Sequence, residues 1–175
     1  MRSRIDRAVE RLAFWTAMLG GAVLIAVLLL TVISIVGRGL IFAGLGPIPG
    51  DFELVEAGTA FAVLAFLPLC QFHRGHVTVD LFLARVGRRP NAVIDVIANL
   101  LMTAAAAVLT WRLALGLLDK RSYGETTFIL QFPVWWSYAA CLLGAGVFTL
   151  VCAYTVARSL GETRGRDGTR KISTR

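Results

Sequence analysis

Three sets of polar side chains interrupt an otherwise apolar sequence, and each suggests a different chemistry. Asp51, Glu53 and Glu56 stand together at the front of an apolar stretch. A carboxylate at membrane depth suits a proton relay or an ion site. Glu56 lies only about one turn inside that stretch, where the cost of charge is falling toward the headgroups. A solvated helix-end role is therefore the simpler reading, with a polar contact to a neighbouring subunit between the two. Cys70, His73, His76 and Asp80 are residue types that bind zinc. Their spacing matches no structural zinc site, so no metal is expected there. Arg112 and Asp95 lie near the ends of another apolar block, where long side chains reach back to the headgroups. If Arg112 faces protein instead, it needs a carboxylate, and Glu56 on the same side is the candidate.

Other chemistry has little support. Cys70, Cys141 and Cys152 are odd in number and form no CxxC. They read as small buried apolar residues. Neither histidine is deep enough in a block to hold a haem between helices. The sequence has no phosphate-binding loop, nucleophile elbow or zinc-protease motif. Neither catalysis nor a cofactor is expected.

The elements that must carry these residues are membrane helices. The chain has 175 residues, 57% of them hydrophobic and 17% charged, with a mean hydropathy of +0.70. Crossing a bilayer takes about 20 apolar residues. Four blocks qualify: 13–36, 54–72, 92–118 and 132–157. Backbone groups in lipid must pair within their own segment, so each block is expected to be a helix. The first is too long for the apolar part of a signal peptide and lacks a cleavage site, so it reads as a retained anchor. The fold class is all-α, a polytopic protein of four transmembrane helices.

Lysine and arginine counts beside the blocks set the orientation. The N-terminal segment carries Arg2, Arg4, Arg7 and Arg11, whereas the first loop has only Arg38. The second loop is rich again, with Arg74, Arg85, Arg88 and Arg89; the third has Lys120 and Arg121, and the C-terminal tail is strongly basic. Both termini and the middle loop are thus expected in the cytoplasm. Trp15, Trp111, Trp135 and Trp136, with Arg85, Arg88 and Arg89, read as interfacial anchors against membrane lipids. The net charge of +7 follows this membrane pattern. Without a basic face interleaved with aromatics, no nucleic-acid partner is expected.

Finer features follow. Gly44 to Gly50 is a turn-rich loop, and Asp51 after it is placed to cap the second helix. Pro68 is placed to kink that helix. Asp80 can start a short interfacial helix that ends before Pro90, between spans two and three. Residues 161–175 read as a disordered basic tail. Small residues recur at four-residue spacing in Ala13, Ala17 and Gly21, in Gly58 and Ala62, and in Ala140 and Gly144, which permits close helix contacts. Thr31, Ser34, Thr103 and Thr110 are expected to bond within their own helices.

A lone transporter needs polar or broken helices at mid-membrane. These spans are apolar at their centres, so a scaffold for a partner fits better. Two other readings remain: a small oligomeric ion-coupled carrier using Glu56, and a membrane redox or metal protein using Cys70, His73 and His76.

The run Gly50-Asp51-Phe52-Glu53-Leu54-Val55-Glu56, followed by Gly75-His76-Val77-Thr78-Val79-Asp80, resembles the small membrane subunit of the tripartite ATP-independent periplasmic (TRAP) transporters. Pro133-Val134-Trp135 extends the likeness to the fourth span. The resemblance implies a bacterial inner-membrane complex. A periplasmic binding protein would deliver a solute, often an organic acid, to a large membrane subunit driven by a sodium or proton gradient. The small subunit would enlarge that subunit's static scaffold. His76 and Asp80, beside Gly75, would then shape the inner loop. Asp51, Glu53 and Glu56 would face the side where the binding protein docks.

Overall fold

The structure is a computed structural model that describes the backbone of residues 4–73 and 88–170, and the side chains of residues 4–73 and 97–158. Its elements are α1 (Arg4–Gly39), a short 3-10 turn (Ile41–Ala43), α2 (Asp51–Phe72), α3 (Arg88–Tyr123) and α4 (Trp135–Arg170). All four helices contain a stretch long and apolar enough to cross a membrane.

Each helix outlasts at least one end of its apolar block, because helical hydrogen bonding does not stop where the lipid does. α1 begins nine residues before Ala13, at Arg4. α3 begins at Arg88, which puts Pro90 in its first turn, where a missing N–H costs nothing. α4 is helical to Arg170. Gly75, His76, Asp80, Arg85 and the expected interfacial helix lie outside the described residues, as do the side chains of Arg88, Arg89 and Asp95.

α1 packs along α2, α2 along α4, and α4 along α3, with a lesser contact between α1 and α4. The buried positions are mostly small: Ala13, Ala17, Ala62, Ala65, Ala106, Cys141, Ala145 and Cys152. Large residues such as Leu28, Ile33, Leu101 and Leu143 are exposed. A soluble protein inverts this order. In lipid, large side chains lose nothing by facing outward, whereas small ones let backbones approach. One close approach centres on Ala65, which is fully buried. A Cβ added to Gly20 of α1 would lie 2.7 Å from Ala65 Cβ, and one added to Gly144 of α4 would lie 3.3 Å from the Ala65 nitrogen. Three helices thus meet at one alanine.

Two apolar clusters complete the packing. Val9, Ala13, Phe72 and Val151 join α1, α2 and α4. Ala106, Phe148 and Cys152 join α3 to α4. Pro68 lies inside α2 and is fully buried.

Candidate functional site

The end of the bundle that carries the 40–50 and 124–134 connections is termed the loop end. There Asp51 and Glu53 each anchor a separate latch.

The first latch joins α1 to the start of α2. Asp51 Oδ2 accepts hydrogen bonds from Ser34 Oγ at 2.5 Å and from Arg38 at 2.8 Å. Ser34 Oγ in turn accepts the Ile48 N–H at 3.3 Å. The loop can fold this close because Gly37 faces the Gly46 carbonyl, with no room for a Cβ. The sequence reading places Asp51 as the helix cap, but the cap residue is Gly50, in the left-handed region at φ 77°. Asp51 is already helical, so its side chain turns back to α1, with Oδ1 taking only the Phe52 N–H at 2.9 Å. Asp51 lies ahead of the apolar stretch that begins at Leu54. The Ser34 hydrogen bond, with help from Phe52 and Arg38, holds its carboxyl below the usual carboxylate range despite some desolvation.

The second latch holds a strap. Residues 124–134 fold into a narrow hairpin, with Thr127 N–H bonded to Phe132 O at 2.9 Å and Val134 N–H to Glu125 O at 3.0 Å. The chain leaves α3 through left-handed backbone at Gly124 (φ 62°), and the hairpin's turn needs it, unusually for a side-chain-bearing residue, at Gln131 (φ 57°). Glu53 grips it from α2: Oε1 accepts the Ile129 N–H at 2.6 Å and Oε2 the Leu130 N–H at 2.9 Å. Leu130 lies over Gly50, where a Cβ would collide with it. Desolvation raises the Glu53 carboxyl, but the donors of residues 127–130 outweigh it and hold it below the usual range. Lys120 pairs with Glu125 at 2.6 Å, and the Arg121 guanidinium stacks 5.6 Å from the Trp135 ring centre.

Under the strap, α2 and α3 flank a cavity of about 540 Å³, and residues of α4 form its third side. Glu56 opens into it. Arg112 is exposed and does not line it, so the structure does not bring Arg112 to Glu56. Trp15, Trp111 and Trp136 present exposed rings, while Trp135 is half-buried.

The opposite end holds a polar knot that the sequence reading does not contain. Gln71 is buried in α2 and donates to Asn99 Oδ1 of α3 at 3.1 Å and to Thr155 Oγ of α4 at 3.3 Å. The Tyr154 hydroxyl reaches Asp6 across from α4 to α1. Thr31 and Thr103 bond within their own helices as expected. Ser34 and Thr110 do not: Thr110 crosses to α4, 3.1 Å from Ala145 O and 2.8 Å from Thr149 Oγ. A polar residue inside an apolar block was the available signal for Gln71. Nothing in the sequence chooses between an intrahelical and an interhelical partner for a threonine.

Four apolar helices that bury small residues, hold each other through polar side chains and latch their loops at one end define a multi-pass membrane protein. The model of the DctQ component family of the tripartite ATP-independent periplasmic transporters matches residues 27–162. The chain belongs to that family, as the small-subunit resemblance implies. No curated protein and no solved structure matches it.

Proposed function

We propose that this chain is the static membrane scaffold of a TRAP transporter in the bacterial inner membrane. It would hold a large transport subunit that takes up a solute, an organic acid by family habit, from a periplasmic binding protein. A sodium or proton gradient would drive the uptake. The family match over residues 27–162 carries this reading. The packing supports it. Among the described residues, Thr110, Thr149, Gln71, Asn99 and Thr155 spend their polar groups joining helices. That is the economy of a rigid support, since interhelical hydrogen bonds in lipid stabilise one arrangement. The arginine distribution supports an orientation with both termini in the cytoplasm and the loop end in the periplasm.

Reconstitution tests the reading. Liposomes holding this chain alone will show no uptake under an imposed ion gradient. Liposomes holding this chain with its large subunit, supplied with the binding protein, will accumulate solute. Equal uptake without this chain would end the proposal.

A further inference from the structure

We propose that the cavity between α2 and α3 seats a transmembrane helix of the large subunit, and that this helix brings a lysine or arginine to Glu56. The inference rests on the scaffold reading and adds to it a docking groove and the chemistry of its occupant.

The groove is built on several sides. α2 supplies Glu56, Ala57 and Ala60, α3 supplies Leu113, and α4 supplies Tyr138 and Cys141. Thr127 and Phe128 of the strap border its loop end. The gap persists because α2 and α3 are tied near their opposite ends by Gln71 and Asn99, while α3 packs on α4 and α2 is shared between α1 and α4. The lining is apolar apart from its carboxylates and hydroxyls. Glu53 is engaged by the strap. Glu56 makes no hydrogen bond or ion pair among the described residues.

An anionic side chain one turn into a membrane helix, beside apolar walls, is stabilised by a cation. The described basic residues of the loop end do not supply it. Arg38 is on Asp51, Lys120 on Glu125, and Arg121 on Trp135. Arg112 lies off the lining. The cation therefore comes from another molecule. Ala57 and Ala60 decide its kind: small residues beside Glu56 let a helix backbone approach closely, a feature that an acyl chain does not need.

The test uses the full chain co-expressed with its large subunit. A photo-crosslinking residue at Ala60, with Glu56 intact, will capture a large-subunit peptide that contains a lysine or arginine within one helical turn of the crosslink. Glu56→Lys will lower recovery of the large subunit about tenfold or more, as expected when one partner of a desolvated charge pair is reversed. Glu56→Gln will lower it less. Changing the captured lysine or arginine to Glu will restore recovery with Glu56→Lys. If wild type and Glu56→Lys recover the large subunit equally, and Ala60 captures only phospholipid, the groove assignment is wrong while the scaffold reading stands. If the wild-type chain does not bind the large subunit at all, the scaffold reading falls and takes this inference with it.

Discussion

Ser34 Oγ lies 2.5 Å from Asp51 Oδ2, across the loop that separates α1 from α2. Ser34 is almost fully buried, at 1% exposure, and it serves two partners, donating to Asp51 and accepting from Ile48. Removing either end of such a pair strands the other. Ser34→Ala and Asp51→Ala will each lower thermal stability in detergent or nanodiscs. Because both remove the same contact, the double variant will lose little more than the worse single one, the non-additivity expected of residues in direct contact. Full additivity in the thermal measurements would show that the latch does not couple α1 to α2.

Glu53 holds the strap by accepting two backbone N–H groups, and a carboxylate accepting such donors makes strong, short bonds. Glu53→Ala will speed amide exchange at Ile129 and Leu130 about tenfold or more, with little change in the helix centres, because a loop opens locally when its tie is cut. Acid will act in the same direction. The carboxyl is lowered in the fold, so its contribution is complete above the ordinary carboxylate range and is lost as pH falls through the lowered value. Exchange mass spectrometry, corrected for the intrinsic pH effect, reads both. Unchanged protection at 129–130 in Glu53→Ala would refute the tie.

Much of the fold could be read in advance, because lipid imposes length and apolarity on anything that crosses it. The four blocks and their order follow from that rule alone. The contact faces were harder to read. The reading pairs Ala13 and Ala17 with Gly21, at strict four-residue spacing. The buried glycine is Gly20, and Gly21 is half-exposed with Phe66 4.0 Å from a Cβ placed there. A helix turns through 3.6 residues, so spacings of three and four both return to one face, and the sequence does not choose between them. At the loop end, the acidic cluster was legible but its division of labour was not. Asp51 and Glu53 are engaged by groups 17 and 76 residues away in the chain, and no local pattern encodes such pairings. Glu56 stood out by residue type and depth, whereas the cavity beside it depends on how α3 leans on α4.

Gln71 separates two explanations of how α3 is held. If apolar packing on α4 suffices, losing the Gln71 amide matters little. If the knot with Asn99 and Thr155 fixes the approach of α2 to α3, then Gln71→Ala must hurt twice. It leaves a void among buried side chains and leaves the Thr155 hydroxyl, 3% exposed, without a donor from α2. A buried polar group deprived of its partner costs about 1–3 kcal/mol. Polar contacts between membrane helices are often weaker, averaging roughly 0.6 kcal/mol. The knot spans three helices, which puts the expected loss for Gln71→Ala at about 1–2 kcal/mol. Gln71→Leu restores volume without the amide and isolates the hydrogen bonds. If Leu rescues stability fully, packing was the whole effect. If Leu remains as destabilised as Ala, the hydrogen bonds set the approach of α2 to α3. In that case α3 will also shift against α2, and a spin-label pair at Ala60 and Leu113 will report a changed distance across the cavity.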